Sequence, residues 1–306
     1  MGSTLYQKIG LTVSRMAQDL MSRAEGERIP SISEYQEKLQ VSRGTVQNSF
    51  AYLKEKGAVI LVSRGHMGTF IEHLDYRKLQ ECSLNKGLLG SMPLPYSILY
   101  QGLATALYHE LQPFEFNLVY TRGSESRLML VSDGVYQFTA CSRYAAEESI
   151  KNHLDVEIAV DLGAGTYLSR HVLILRDKNA VGIEPGMKVA YDRTSLDQRD
   201  ITGQITAGIS GIQFVELRAH QTVTAIREGI IDAGVWNVDE IVESGYRDLH
   251  MVFLDNILDV SSFSSAVLVI RRGEEALGQL LRRYVKPEEV REIQKGVKSG
   301  TIPADY

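Results

Sequence analysis

Residues 30–71 of this 306-residue chain constrain its fold more than any other stretch. Two short helical patterns with a tight turn between them are followed directly by two strand patterns around a glycine-rich tip. This order is the plan of a winged helix-turn-helix, a motif that places its second helix in the major groove of DNA. We therefore expect residues 1–72 to form such a domain, and the rest of the chain to decide when DNA is bound.

Capping residues set the predicted helix boundaries. Ser31 and Glu34 form an S-x-x-E capping box, which predicts a helix that begins at Ile32. Ser42 is placed to cap a second helix, and Gly57 is placed to end it. On that second helix the apolar residues recur at helical spacing and predict a side that faces the core: Val46, Phe50 and Leu53.

The polar side of the second helix and the tip between the strands carry residues suited to DNA. Short polar side chains at the start of a helix can approach base edges, and an arginine can pair with a phosphate or with guanine. Arg43 fits this role on the helix, and Arg64 fits it at the tip. The predicted DNA-binding residues are Ser42, Arg43, Gly44, Thr45, Gln47, Asn48, Arg64, Gly65 and His66.

A family resemblance supports the motif. The matching residues are Gly26, Pro30-Ser31, Val41-Ser42-Arg43, Thr45-Val46, Leu53, Gly57, Arg64-Gly65 and Gly68-Thr69-Phe70. On these residues the first quarter of the chain resembles the GntR-type winged helix, which implies a DNA-binding head. The family often has arginine at the positions of Ser33 and Gln47, so two backbone contacts of the family are missing here. A winged helix that contacts another protein is the alternative.

Charge is shared unevenly along the chain. The net charge is −5, yet the first 75 residues hold nine Lys/Arg and eight Asp/Glu, which leaves −6 for the remainder. A weakly basic head on an acidic body fits a DNA reader whose body stays off the phosphates. Cys82 and Cys141 suggest neither a disulfide framework nor a metal site, and the N-terminal pattern is not a signal peptide. We expect a cytoplasmic protein without a metal or cofactor.

The body, from Gly87 onwards, alternates short apolar runs with amphipathic helical patterns, which is typical of an α/β fold with a mostly parallel sheet. Residues 73–86 are polar and charged, and we interpret them as a linker. The body is expected to form two α/β lobes, with the chain crossing twice between them. The first lobe covers about residues 87–180 and 264–306, and the second about residues 186–262. The predicted fold class is multidomain, a winged helix-turn-helix (α+β) joined to a two-lobed α/β domain.

Six unusual motifs identify a second resemblance. They are Ser91–Tyr96, Arg122-Gly123, Asp133–Tyr136, Ser142–Glu147, Asp192–Gln198 and Val235–Val238. On these motifs residues 86–306 are similar to the C-terminal domain of YhfZ-type regulators. The resemblance implies a transcriptional regulator whose body is similar to type 2 periplasmic binding proteins, and it implies no particular effector.

Loops after the strands of the body form the predicted ligand site. Small molecules bind beyond the carboxyl ends of strands, where helix N-termini offer free N–H groups. Arginines beside hydroxyl groups in these loops suit a carboxylate or a phosphate, so we expect a small anionic metabolite between the lobes. Trp236 could close over it as a lid. The predicted ligand-binding residues are Ser91, Pro93, Pro95, Tyr96, Arg122, Gly123, Ser142, Arg143, Arg193, Thr194, Ser195, Trp236 and Asn237.

The sequence therefore predicts a DNA-binding transcriptional regulator that is not an enzyme and whose body modulates binding to double-stranded operator DNA. A palindromic operator needs two heads, so we expect a homodimer. A small-molecule-binding protein with a degenerate DNA head is one alternative, and an enzyme acting on a small metabolite is another. The stretch Val160–Thr166 looks like a phosphate loop, but no Walker-type lysine follows it, so a strand-to-loop transition explains it.

Overall fold

The computed structural model describes residues 2–83, 87–254 and 260–306, and the side chains of residues 8–83, 87–254 and 261–306. The chain forms two compact units. The first comprises Met1–Leu89, Glu110–Asn117 and Glu274–Tyr284, and the second comprises Gly90–His109, Leu118–Gly273 and Val285–Tyr306. Within residues 2–83, 87–254 and 260–306, no helix has the length and hydropathy needed to cross a membrane.

The described residues form α-helices and β-strands, numbered in chain order. The α-helices are α1 (Gly2–Met21), α2 (Ile32–Leu39), α3 (Arg43–Glu55), α4 (Tyr76–Cys82), α5 (Ile98–Glu110), α6 (Ser124–Ser132), α7 (Arg143–Lys151), α8 (Leu196–Thr206), α9 (Thr222–Arg227), α10 (Val238–Glu243), α11 (Val260–Ser264), α12 (Glu275–Tyr284) and α13 (Pro287–Ser299). The strands are β1 (Val59–Ser63), β2 (Thr69–Leu74), β3 (Leu88–Met92), β4 (Phe116–Tyr120), β5 (Phe138–Ser142), β6 (Val156–Gly163), β7 (His171–Leu175), β8 (Lys188–Tyr191), β9 (Gln213–Glu216), β10 (Ala233–Asn237), β11 (His250–Phe253) and β12 (Ala266–Arg271).

The first unit contains the predicted winged helix-turn-helix. Ser31 and Glu34 form both hydrogen bonds of the capping box, and α2 begins at Ile32, which confirms the prediction. Ser42 caps α3, and Gly57 follows the helix with a φ of 67°, a left-handed conformation that glycine adopts without strain. The core between the helices is made of fully buried side chains, among them Met16, Leu20, Tyr35, Val46 and Leu53.

The wing is the antiparallel pair β1–β2, with Ser63 opposite Thr69 and Val59 opposite Leu74. A short 3-10 turn, Gly65–Met67, joins the two strands. Backbone pairing of Arg28 with Phe70 attaches the segment before α2 to this hairpin. The wing is therefore tied to the rest of the head by main-chain hydrogen bonds, which gives its tip a defined place on the unit.

The predicted linker is wrong over most of its length. Strand β2 runs to Leu74, and residues 76–82 form α4, which packs against α1 and buries Leu79 completely. The sequence has few apolar residues here, but buried Leu79 and the ring of Tyr76, which packs on Phe114 and Tyr284, are enough to anchor a two-turn helix. Helix α12, predicted to lie in the first lobe of the body, also packs against α1 in the first unit. Residues 84–86 lie outside the described residues.

Two five-stranded sheets build the body. Their strand orders are β4-β3-β5-β12-β6 and β11-β7-β10-β8-β9. In the first sheet β12 is antiparallel to both β5 and β6, and in the second β7 is antiparallel to both β10 and β11, whereas β3–β5, β8–β10 and β8–β9 are parallel. Each reversed strand is the first one after a crossing between the sheets. Each sheet is therefore mixed through one reversed strand, β12 or β7, while the strands on either side of it run in the same direction as each other, so the prediction of a mostly parallel sheet is confirmed.

Strand β7 corrects the predicted lobe boundary. Residues up to 180 were placed in the first lobe, but β7 pairs with β10 and β11 in the second sheet. All five residues of β7 are buried. Val172 and Ile174 contribute to one apolar cluster, and Leu173 and Leu175 contribute to another, as expected for a central strand covered on both faces. An apolar run of this kind fits either sheet, so the sequence alone could not assign it.

Candidate functional site

The first candidate site is the polar face of α3. The Oγ atom of Ser42 accepts the N–H of Thr45 at 3.2 Å, which fixes the start of the helix. Five of the six predicted residues on this helix start are exposed, and the sixth, Thr45, is half-buried. The exposed ones are Ser42, Arg43, Gly44, Gln47 and Asn48. Because the apolar side of α3 faces the core, this polar side is the one open to a partner.

The wing adds a second cation to the head. The guanidinium of Arg64 lies over the ring of Phe70, 4.5 Å from its centroid, and the residue is exposed. Stacking of this kind orients an arginine and leaves its edge free to donate hydrogen bonds. Gly65 and His66 at the tip are exposed as well. The predicted DNA-binding residues of the wing therefore all lie on an accessible surface.

The second candidate site is a polar pocket of about 100 Å³ between the two sheets of the second unit. A cavity of ~150 Å³ is known to hold benzene, so this one suits a ligand of only a few non-hydrogen atoms. Its lining comes mainly from loops and helix starts that follow strands. The lining residues are Pro93, Leu94, Tyr96, Tyr100, Arg122, Gly123, Ser124, Arg127, Tyr167, Leu168, His171, Asp192, Thr194, Ser195, Asp197, Gln198, Arg218, Ala219, His220, Trp236 and Asn237.

The structure brings together eight of the thirteen predicted ligand-binding residues. Those in the pocket lining are Pro93, Tyr96, Arg122, Gly123, Thr194, Ser195, Trp236 and Asn237. Trp236 is not a lid, however. It belongs to β10, pairs with Val172 of β7 and is 8% exposed, so it forms a fixed wall of the pocket.

The other five predicted residues lie outside the lining. Ser91 is buried within β3, and Pro95 lies in the loop that follows. Ser142 caps α7. The two predicted arginines make ion pairs elsewhere, Arg143 with Asp161 and Arg193 with Glu216. Arg193 is 69% exposed, so its guanidinium is a surface group rather than a pocket group.

Arg127 is the most deeply buried charged residue among the pocket residues that the sequence did not predict. It is 1% exposed, and its guanidinium donates to Thr139 Oγ1 at 3.3 Å, to the Thr121 carbonyl at 2.9 Å and to the Ala140 carbonyl at 3.5 Å. All three acceptors are uncharged. The available signal was its spacing: Arg127 lies one helical turn before buried Val131, on the apolar side of α6.

Asp197 is the second missed residue, and it sits beside that buried cation. Burial raises the pKa of Asp197 to about 7, while the hydroxyl of Ser142 and the charge of Arg127 act in the opposite direction. The Ser142 hydroxyl donates to Asp197 Oδ1 at 2.7 Å. The pocket therefore contains a carboxyl group that exchanges its proton near neutral pH.

Two neutral histidines complete the pocket. His171 is buried, and burial lowers its pKa to about 4. The ring of Tyr96 stacks on that of His220, with centroids 5.8 Å apart. Burial lowers the pKa of His220, and the nearby charges of Arg122 and Arg218 lower it further. Burial therefore favours the neutral form of both imidazoles, and nearby positive charge favours it further at His220.

Hydrogen bonds join the two lobes of the second unit. The backbone N–H of Leu196 in the second lobe donates to Ser124 Oγ in the first at 3.2 Å. The N–H of Ile98, at the start of α5, donates to the carboxylate of Glu243 on α10 at 2.7 Å. A Cβ on Gly123 would lie only 3.0 Å from the Thr194 carbonyl. The two lobes therefore approach each other closely at Gly123 and Ser124, which line the pocket.

The two mixed sheets have the same strand order when the second is read from β9 to β11, because the reversed strand is then the fourth in each. Two such sheets, joined by two crossings around a polar pocket, define the body as a two-lobed binding-protein fold. The periplasmic aliphatic sulphonate binding protein SsuA from Escherichia coli shares this fold, with a TM-score of 0.53 at 13% identity over 70% of this chain and 74% of that one.

The family follows from the sequence comparison. The profile of the YhfZ C-terminal domain matches residues 75–306, so the chain belongs to the YhfZ family, and a helix-turn-helix domain profile matches residues 24–71. The uncharacterized protein YhfZ of Escherichia coli (strain K12) is 29% identical over 306 residues, the full length of both chains. The crystal structure of YhfZ from Shigella flexneri is 30% identical, with a TM-score of 0.60 over 72% of this chain and 93% of that one.

Proposed function

We propose that this chain is a transcriptional regulator that binds operator DNA through its winged helix-turn-helix and a small anionic effector in the pocket of its second unit. The observation that carries the proposal is the exposure of Arg43 on α3 and Arg64 on the wing, the two places where a duplex would lie. A winged helix used only for protein contacts would not need a cation at both.

The DNA part of the proposal assigns different roles to the helix and the wing. Gln47 and Asn48 have side chains that can pair with adenine, and Arg43 can pair with guanine or a phosphate. Arg64 serves as the phosphate contact of the wing. Because Ser33 and Gln47 replace two arginines common in GntR-type heads, we expect fewer phosphate contacts and a shallower salt dependence.

The ligand part rests on the charge inside the pocket. Arg122, Arg127 and Arg218 outnumber Asp192 and Asp197 in its lining. Asp192 is already engaged, since it accepts the backbone N–H groups of Thr194 and Ala219. The positive excess favours an anion, and the small volume favours a metabolite over a polymer.

Regulation requires that effector and DNA affect each other's affinity. The effector must favour one state of the protein, and couplings of about 1–3 kcal/mol, or roughly 5- to 150-fold, are typical. One winged helix reads one half-site, so we expect a homodimer on a palindromic operator. By linkage, operator DNA should change the affinity for the effector by the same factor.

Fluorescence anisotropy with DNA from upstream of the chain's own gene tests the proposal. The native protein should bind selectively over scrambled DNA, and its affinity should fall as salt rises. Arg43→Ala should weaken binding at least about tenfold, and Arg64→Ala should lower the salt slope by about one. Arg77→Ala is the matched control, because Arg77 is an 82% exposed arginine on α4. Equal losses in all three variants would contradict the assignment, and no selective binding would favour a small-molecule-binding protein with a degenerate head.

A further inference from the structure

The buried end of the pocket holds a cation with unused donors. A guanidinium has five N–H groups, and the three hydrogen bonds of Arg127 leave two of them. Within the described residues no carboxylate forms an ion pair with Arg127. The hydrogen-bond acceptors of Arg127 are all neutral, and an anion that accepts hydrogen bonds from its remaining N–H groups would reduce the cost of burying the charge.

The start of α6 also borders the pocket. Its N-cap is Gly123, which has no side chain to cap the helix, and both Gly123 and Ser124 line the pocket. The first N–H groups of a helix have no intrahelical acceptor, and the helix dipole favours a negative charge there. Arg127 is in the first turn of this nine-residue helix. The helix start and the guanidinium therefore present donors from one element.

A second polar atom in the lining lacks a partner. The Nδ1 atom of His171 is buried without a hydrogen bond, and the residue is 5% exposed. Its ring is neutral at physiological pH, because burial lowers its pKa. A buried nitrogen of this kind needs a partner, and an uncharged polar group of a ligand can supply one.

We propose that the pocket binds a compact anion that also carries a hydroxyl or similar neutral polar group, with its oxyanion on Arg127 and the start of α6, its neutral group on His171, and the carboxyl of Asp197 donating a hydrogen bond to the oxyanion. This inference rests on the proposed function of the pocket as an effector site. It adds the chemical class of the effector and the protonation state of Asp197 when the effector binds.

Proton balance follows from the place of Asp197. Near pH 7 about half of the Asp197 groups are ionised, and an ionised carboxylate would repel an incoming anion. Binding therefore transfers a proton from the buffer to Asp197, and no other bond forms or breaks. The titratable groups that face Asp197 are Arg127 on α6, Tyr100 on α5, Cys141 on β5, Tyr144 on α7, Tyr167 in the first crossing and Asp200 on α8.

Matched small probes test the class on the full-length chain. Glycolate has a carboxylate and a hydroxyl, acetate lacks the hydroxyl, ethylene glycol lacks the charge, and glycine replaces the hydroxyl by an ammonium group. Methanesulphonate supplies a tetrahedral oxyanion. Calorimetry at matched ionic strength should rank glycolate first, acetate or methanesulphonate next, and glycine and ethylene glycol at least about tenfold weaker than glycolate. Tighter binding of acetate would indicate that the oxyanion of the effector is a carboxylate, and tighter binding of methanesulphonate would indicate a tetrahedral oxyanion.

The pH dependence tests the role of Asp197. With a carboxyl that titrates near 7, glycolate affinity should fall about tenfold from pH 6 to pH 8, with uptake of up to one proton. In Asp197→Asn the affinity should become independent of pH. In Ser142→Ala the midpoint should move up, because the hydroxyl lowers the pKa of Asp197, and in Asp200→Asn it should move down, because the Asp200 charge raises it.

Several outcomes would overturn the inference. Preference for glycine, affinity that rises with pH, or an Asp197→Asn variant with the native pH dependence would each do so and would leave the pocket as a site for another effector. Binding of none of the probes at about 10 mM would also overturn it. If Asp197→Asn does not fold, the opposite midpoint shifts of the Ser142 and Asp200 variants decide. The anisotropy test of DNA binding is independent of all these results.

Discussion

The hydroxyl of Ser142 donates a 2.7 Å hydrogen bond to the carboxylate of Asp197 and accepts a 3.1 Å hydrogen bond from the N–H of Ala145. Ser142 ends a strand of the first lobe, and Asp197 is in the first turn of a helix in the second. One hydroxyl thus caps α7 and links the two lobes, and it does so at a carboxyl group that lines the pocket. A change in this pair would therefore affect the contact between the lobes, the start of α7 and the pocket at once.

Asp197→Asn should stabilise the protein at pH 8 relative to the native chain. The pKa of Asp197 is raised by burial from 3.8 to about 7, so the native chain loses stability as the pH rises between these values. The loss amounts to roughly 4 kcal/mol, and it is absent in the amide variant. Urea unfolding at pH 4, 6 and 8 should show a difference that grows with pH. A constant difference would contradict the assigned pKa shift.

Ser142→Ala should destabilise the second unit. The substitution removes a helix cap and a hydrogen bond to a buried carboxyl group, each with a cost on the order of 1–2 kcal/mol. Ser126→Ala is the matched control, because Ser126 is an exposed serine on α6. Its free energy of unfolding, measured in urea, should stay within about 0.5 kcal/mol of that of the native chain. A Ser142 variant as stable as the control would remove the structural role of the pair.

Asp19→Asn should destabilise the head by about 3 kcal/mol or more. Asp19 is 8% exposed and accepts hydrogen bonds from Tyr35 at 2.6 Å, from Arg23 and from Lys38. Burial alone would raise the pKa of Asp19, but these hydrogen bonds hold it below its ordinary value.

The native contribution of Asp19 is therefore present above pH 4 and is lost as the pH falls through its lowered pKa. Thermal melts should show a difference between the native chain and Asp19→Asn that is full at pH 7 and shrinks as the pH falls through the lowered pKa of Asp19, whereas the exposed control Glu37→Gln should melt close to the native chain at pH 7. No difference between the native chain and Asp19→Asn at pH 7 would show that the buried network contributes nothing.

Gly90→Ala should cost about 1–3 kcal/mol. A Cβ at Gly90 would lie 2.4 Å from the ring of Phe138, which pairs with it across β3 and β5. Gly203→Ala is the counterpart within α8, where nothing lies within 4 Å of the added Cβ. That variant should gain about 0.5–1 kcal/mol from helix propensity. Opposite signs in urea unfolding are expected, and the same sign in both would be at odds with the packing described.

Arg193→Ala should leave glycolate affinity unchanged, whereas Arg122→Ala should lower it about threefold or more. Arg193 pairs with Glu216 on the surface, and Arg122 lines the pocket, where its Nε donates to Tyr96 at 3.2 Å. Both residues are exposed arginines in loops that follow strands. A larger effect from Arg193 would restore the assignment made from the sequence.

The head was predicted well because its signals are local. The capping box of Ser31 and the cap at Ser42 depend on residues within three positions along the chain, so spacing alone fixes them. The failure at residues 73–86 has the opposite cause. Helix α4 is held by burial of Leu79 against a neighbouring helix and by the ring of Tyr76 on Phe114 and Tyr284, and two such anchors in a polar stretch give too weak a periodic signal.

The pocket shows where loop-based prediction stops. Eight predicted residues lie in its lining, because strand ends and helix starts gather at one edge of each sheet. Arg143 and Arg193 also follow strands in the sequence, yet they form ion pairs with Asp161 and Glu216 outside the pocket. Choosing among arginines requires knowing which carboxylates lie nearby in space, and that information is absent from the spacing.

The sequence by itself determined the helix-turn-helix with its wing, the α/β character of the body and the loops from which a ligand site would be built, since these depend on periodicity and capping. Tertiary structure decided which sheet received β7, which arginine was buried, and that Asp197 would titrate near neutral pH. Burial and long-range charge contacts arise only when distant segments meet, and residues 127, 142 and 197 meet only in the folded body.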